Sequence, residues 1–151
     1  MSAAFSPPVA RSARSRSPAL RWQKPSCISA TSHMVPFPAP AVATVGLCEK
    51  SCQEADIDYR VASYPFDDHG KSLCLGELHG QIKILCEPTT GELLGASICG
   101  PEAGELIHEL AAVMHFRGTV HDLVQIPHYH PTLAEIVTYP AEELVEQIDS
   151  L

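Results

Sequence analysis

Residues 80–100 read "GQIKILCEPTTGELLGASICG", and the pattern inside this stretch decides the fold. Ile82 and Ile84 alternate with Gln81 and Lys83, the two-residue period of a strand with one buried face. "PTTG" (88–91) carries turn chemistry, and "ELLGASICG" (92–100) returns as a second apolar strand. Together they predict an antiparallel hairpin. Directly after it the period changes. In "PEAGELIHELAAVMHFRG" (101–118), Leu106, Ile107, Leu110, Ala111 and Met114 recur at helical spacing and share one face. Pro101 suits a first helical position, Glu102 and Glu105 suit the positive end of the helix, and Gly118 suits its exit.

Upstream of the hairpin, "AVATVG" (41–46) reads as a short strand closed by Gly46, and "CEKSCQEA" (48–55) as one or two helical turns. "YRVASYPF" (59–66) is β-branched and aromatic, hence a strand, and "DDHGKS" (67–72) after it reads as a turn. Downstream, "TVHD" (119–122) has the Thr-x-x-Asp spacing that opens a helix. "PTLAEIVTYPAEELVEQIDSL" (131–151) reads as helical, with a kink or restart near Pro140. Strands first and helices last give an α+β domain, an antiparallel β-sheet with flanking helices.

The charge of −8 is unevenly spread. Residues 1–48 hold five basic side chains and no acid, which leaves five bases against eighteen acids from Glu49 onward. The folded part is therefore acidic and unsuited to gripping nucleic acid by its phosphates. No run approaches the ~18 apolar residues of a membrane span. "MSAAFSPPVARSARSRSPALRWQKPSCISATSH" (1–33) lacks any apolar period, so residues 1–34 are expected to be disordered and residues 35–151 to form the domain. A basic, Ser-rich, acid-free head fits an organellar transit peptide; equally, Met34 fits a start codon with residues 1–33 untranslated. The localisation expected is cytoplasmic, or an organelle if the head is a transit peptide. Of the six cysteines (27, 48, 52, 74, 86, 99), five lie in or beside apolar stretches, where a thiol acts as a small hydrophobe; a reduced, intracellular chain is expected. Cys48 and Cys52 alone are closely spaced, as C-x-x-x-C, without a second pair to make a zinc site. Neither G-x-G-x-x-G nor G-x-x-x-x-G-K-[ST] occurs, so the sequence shows no nucleotide cradle.

"HYHPTLAE" (128–135) is open to more than one reading. His128 and His130 could present two imidazoles to a metal, with His121 or Glu135 completing the shell, although no third and fourth ligand is spaced convincingly. Thr132 and Glu135 could instead form a capping box, with Pro131 fixing an extended approach. Imidazole plus carboxylate is also the chemistry of proton transfer near neutrality. His108 and His115 are read as packing-border or dimer-surface residues, and His69 and His79 as loop residues.

In order along the chain, "FPAPAVATVGLCE", "DYRVASYPF", "GQIKILCEPTTGELLGASICGPEAGELIHELAAVM", "TVHDL" and "HYHPTLAE" resemble one family. It is the C-terminal dimerisation domain of pyridine nucleotide-disulfide oxidoreductases, flavoenzymes such as dihydrolipoamide dehydrogenase, and "HPTLAE" is most similar to that branch. The resemblance spans about residues 35–147, with "TGELLGASICGPEAGELI" and "HPTLAE" its most specific parts. It implies a two-fold dimer in which the His-Pro segment enters the partner subunit's active site. On that resemblance His130 matches the acid/base histidine and Glu135 the carboxylate that orients it. The His130–Pro131 backbone would lie near the flavin, and His128 would flank the site. FAD and NAD(P) belong to the complete family enzyme, and none is expected to be bound by this chain alone. The expected partner is a second copy, or a reductase subunit carrying the FAD and NAD domains, and the helical face around Leu106 to Met114 is the expected contact. The chain then reads as a fragment or split piece of such an enzyme; the alternative is a stand-alone, non-catalytic dimerisation module. Two positions depart from the pattern: Cys48 where the family commonly has Thr, and Asp56 near a frequent Gly.

Overall fold

The computed structural model describes residues 29–31 and 41–150. Five antiparallel strands, β1 (Ser29–Thr31), β2 (Ala41–Gly46), β3 (Arg60–Pro65), β4 (Gln81–Cys86) and β5 (Leu93–Gly100), lie in the order β1-β2-β5-β4-β3. Most of the expected disorder of residues 1–34 lies outside the described residues, but residues 29–31 depart from it. They pair with β2 in register Ser29↔Thr44 to Thr31↔Val42 as a short edge strand.

The hairpin forms as its alternation requires. Ile82 and Ile84 turn into the core with Ala96 and Ile98 of β5, and the pairing shifts register between Leu85 and Cys86. Helix α3 (Ala103–His115) covers β2 and β5, and α5 (Thr138–Asp149) covers β3 and β4. Buried residues of α3 (Leu106, Ile107, Leu110, Met114) meet Ile136, Val137, Ala141 and Leu144 from the C-terminal segment in one cluster. On the other side of the sheet, α1 (Glu49–Glu54) buries Cys52 against Leu85 and Leu94. A side chain at Gly95 would meet the Leu47 carbonyl at 1.9 Å, so a glycine lets the chain cross the sheet there.

The face of α3 expected to make the dimer contact is consumed inside the protomer. Leu106, Ile107, Leu110 and Met114 are at most 9 % exposed, because they seal the sheet. Glu105 lies in the first turn of α3 as expected, but the capping at both ends differs from the sequence reading. Pro101 and Glu102 precede the helix, with Glu102 left-handed at φ 50°. At the exit the left-handed residue is Arg117 (φ 58°), not Gly118. The Arg117 N–H donates to the Met114 carbonyl (2.9 Å) and the Gly118 N–H to the Val113 carbonyl (2.8 Å), a Schellman closure.

Helix α1 ends the same way. The Ile57 N–H donates to Cys52 O (2.9 Å) and the Asp56 N–H to Gln53 O (3.3 Å), with Asp56 left-handed at φ 53°. The aspartate near a frequent family glycine thus occupies a conformation that favours glycine.

"DDHGKS" is more than a turn. A 3-10 turn (Phe66–Asp68) leads through His69 into α2 (Gly70–Leu75), which closes on Gly76 at φ 74°. Helix α4 (Val120–Gln125) opens as expected: the Asp122 N–H donates to Thr119 Oγ1 (3.1 Å) while the Thr119 N–H donates to Asp122 Oδ2 (2.9 Å). The C-terminal restart also appears, as a 3-10 turn (Ala134–Val137) followed by α5. Pro140 falls in the first turn of α5, where its missing N–H leaves no intrahelical bond unmade.

Candidate active site

Glu135 sits on the 3-10 turn between buried Ile136 and Val137 and the half-buried Ala134. Two adjacent side chains locked in the core fix its backbone, and the Thr138 hydroxyl donates to its carbonyl (2.8 Å). Glu135 itself is 8 % exposed, a carboxylate largely withdrawn from water. Burial of that kind demands partners. His130 supplies one, donating from Nδ1–H to Glu135 Oε2 at 2.8 Å. An ionised carboxylate only accepts, so this contact places the proton on Nδ1 and leaves Nε2 facing outward. The His130 side chain is 80 % exposed. One end of the pair is therefore anchored and the other is open to whatever docks against it.

The surrounding loop is held from α3. His128 Nδ1 lies 2.9 Å from the Ile126 carbonyl and Nε2 lies 2.6 Å from Glu109 Oε1, so both ring nitrogens are engaged. This pins the segment two residues ahead of His130. Tyr129 projects outward between the two histidines, 82 % exposed, and Pro131 is exposed as well, joined to His130 by a cis peptide bond.

Two readings from sequence are corrected here. Thr132 makes no capping box with Glu135: its Oγ1 is buried without a hydrogen-bond partner, because the Glu135 carboxylate is drawn to imidazoles instead. The metal shell does not assemble either. His121 faces Asp149 (3.3 Å), His128 faces Glu109, and His130 faces Glu135, three separate pairs. Among the described residues no three His, Cys, Asp or Glu side chains gather to hold an ion.

One member of the cluster differs from its sequence reading. His69, expected in a loop, is 0 % exposed, with Nε2 3.4 Å from Glu135 Oε1 and Nδ1 2.9 Å from Ser72 Oγ. Tyr139 meets the ring edge-on at 6.0 Å and stacks on Tyr64 at 4.2 Å. Nothing in "DDHGKS" announces this role, since the partner stands sixty-six positions downstream.

The described cysteines stand apart from this cluster. Cys48, Cys52, Cys74, Cys86 and Cys99 are unbridged. Burial pushes the Cys86 thiol up to about 11, as for a core hydrophobe. The Ser51 hydroxyl beside exposed Cys48 lowers that thiol, on the far face of the sheet with Lys83 and Cys99.

Comparison with known proteins assigns this architecture. The model of the pyridine nucleotide-disulphide oxidoreductase dimerisation domain matches residues 33–141. The chain belongs to that family. A dihydrolipoyl dehydrogenase of Rhizobium etli is 46 % identical over 57 residues, covering 38 % of this chain and 12 % of its own length. A dihydrolipoyl dehydrogenase of Mycoplasma genitalium is 37 % identical over 81 residues, covering 54 % of this chain and 16 % of its own. Among solved structures, LpdA of Mycobacterium tuberculosis aligns over 77 % of this chain and 25 % of that one, at TM-score 0.68 and 27 % identity. The flavoprotein disulfide reductase RclA of Escherichia coli, at TM-score 0.65, 22 % identity, 68 % of this chain and 24 % of that one, shares the fold. The chain thus spans about an eighth to a quarter of the relatives it matches. Among the described residues no helix is long and apolar enough to cross a membrane.

Proposed function

We propose that this domain contributes the His130–Glu135 acid/base pair to a dithiol–disulfide site on a partner subunit, in a dihydrolipoamide dehydrogenase-like reductase that uses FAD and NAD(P). The observation that carries this reading is the asymmetry of His130: Nδ1 is tied at 2.8 Å to a largely buried carboxylate while the rest of the ring is 80 % exposed. Such a ring is oriented but not occupied.

The chemistry follows from that geometry. When a thiolate attacks a disulfide, one sulfur–sulfur bond forms, the old one breaks, and the departing sulfur leaves with an electron pair that needs a proton. A proton on His130 Nε2 can be given to it, and in the reverse direction Nε2 can take a proton from a thiol. Glu135 keeps Nδ1–H fixed and balances the charge of the imidazolium that forms, which is the role of an orienting carboxylate. Both steps need the ring to project from its own protomer, as it does.

His130 and Pro131 are exposed, so a flat ring carried by another polypeptide has access to this backbone. FAD and NAD(P) supply the electron and hydride transfers when bound, and from this domain His130 and Pro131 are the residues that would face the flavin. The partner is a second family subunit, either an identical copy or one carrying the FAD and NAD domains.

The test is His130→Gln in the assembled reductase, followed by disulfide reduction with NADH or NADPH. Turnover is expected to fall by about 10²–10⁴-fold, the usual share of a general acid/base, with assembly unchanged. Undiminished turnover would remove His130 from the role.

A further inference from the structure

We propose that His69 is a positioning residue for the acid/base pair: its neutral ring turns Nε2–H toward Glu135 Oε1, and so holds the carboxylate with its other oxygen on His130. This deepens the reading above and rests on it.

The geometry leaves few alternatives. Glu135 offers two oxygens to two imidazoles, Oε2 at 2.8 Å from His130 Nδ1 and Oε1 at 3.4 Å from His69 Nε2. His69 Nε2 is buried and makes no full hydrogen bond; the acceptor it faces is Glu135 Oε1 at 3.4 Å. Its Nδ1 lies 2.9 Å from Ser72 Oγ, in the first turn of α2, and Ser72 is itself fully buried. A hydroxyl can donate or accept, so Ser72 satisfies either tautomer at Nδ1. The carboxylate cannot; it only accepts. If Nδ1 carried the proton, a lone pair on Nε2 would face carboxylate oxygen in a dry site, leaving two buried acceptors opposed. With the proton on Nε2, Ser72 donates to Nδ1 and every link of the row Ser72–His69–Glu135–His130 sets a donor against an acceptor.

A doubly protonated ring would also satisfy Glu135, but burial works against it. The ring is held below the ordinary histidine range by its loss of water, which outweighs the pull of Glu135; His130 pushes the same way as burial. The other groups around it are aromatic: Tyr139 lies edge-on, backed by Tyr64, whose hydroxyl donates to Asp68 (3.0 Å). The 3.4 Å contact is a few tenths of an ångström longer than a good N–H···O bond, within reach of a small side-chain rotation.

The consequence concerns the tautomer of His130. A carboxylate held from behind has one orientation to offer, which keeps the proton of neutral His130 on Nδ1 and the lone pair on the exposed Nε2. Without His69, Glu135 can rotate away and His130 can exchange tautomers in water.

Long-range ¹⁵N–¹H correlation spectra of the full 151-residue chain read both rings directly, without flavin or turnover. His69 is expected to be protonated at Nε2 and not at Nδ1. Protonation at Nδ1 overturns the proposal, whether or not any variant folds. In His69→Leu, neutral His130 is expected to lose its Nδ1–H preference, and His69→Gln, which can present an N–H in the same place, is expected to restore it. A His130 tautomer unchanged in His69→Leu would overturn the positioning role. Because the His130→Gln turnover assay stands apart, His69 can fail these tests while His130 keeps its acid/base role, and the reverse.

Discussion

Replacing His69 by glutamine should change how the stability of this chain depends on pH. The wild-type ring is 0 % exposed, and burial holds its pKa below the ordinary value of 6.5 despite the pull of Glu135. In the unfolded chain the same ring titrates near 6.5. Above that pH neither state binds the proton, and the contribution of neutral, buried His69 is complete. As pH falls through about 6.5, the unfolded state takes up a proton that the folded state refuses, so stability is lost toward the lower, folded pKa. One full proton of difference costs about 1.4 kcal/mol per pH unit, and integrating from about pH 7.5 to 5.5 gives at most about 1.4 kcal/mol. His69→Gln lacks this loss. Urea unfolding of both proteins at the two pH values, followed by far-ultraviolet circular dichroism, measures it as a difference of differences. The remaining seven of the eight histidines are common to both proteins and cancel, His130 excepted, because it couples to His69. Parallel pH dependences, or a wild type that gains relative stability in acid, would refute the burial argument.

Other perturbations test the frame that holds the site. Asp56→Gly should stabilise the chain by up to about 1 kcal/mol, because it relieves a left-handed aspartate at a helix exit; a drop in urea midpoint would contradict that. Leu110→Ala should cost about 3 kcal/mol from the cavity it leaves. Leu110→Glu should unfold the protein; a folded monomer by size exclusion and circular dichroism would return the Leu106–Met114 face to the dimer contact. In an ultraviolet titration, one of the four tyrosines should ionise only near pH 12. That tyrosine is Tyr64, pushed up to about 12 by burial and then by Asp68, and Tyr64→Phe should remove the late step.

What could be read from the chain and what could not divide along a physical line. The hairpin, α3 and α4 are local: a two-residue period, a helical period and a Thr-x-x-Asp box each state their structure within a few residues. Helix α2 is as short as α4, six residues, but opens on Gly70 without a side-chain cap, so neither a period nor a box announces it. The exit of α3 departs from its sequence reading because capping preferences are statistical, while the Glu92 carboxylate supports Arg117 in the left-handed position through two bonds of 2.9 and 3.0 Å. "HYHPTLAE" was ambiguous for a different reason. Thr132 and Glu135 have the spacing of a capping box, and His130 and Glu135 have the spacing of a dyad; both compete for one carboxylate.

The competition is decided by burial, which no local pattern contains. A capping glutamate normally reaches a helix end at the surface, where water shares the work. Glu135 is flanked by Ile136 and Val137, both 0 % exposed, and they draw its turn into the core. There the carboxylate needs donors that water would otherwise supply, and two imidazoles converge on it: His130 from five positions upstream and His69 from the far end of β3. If His69 holds Glu135 as proposed, the same burial that makes Glu135 costly makes it directional, since a carboxylate fixed from two sides cannot turn away from His130. His130 alone is exposed. On the proposed acid/base reading, the rigid half of the pair lies inside the protomer and the exposed half is the one a partner would meet.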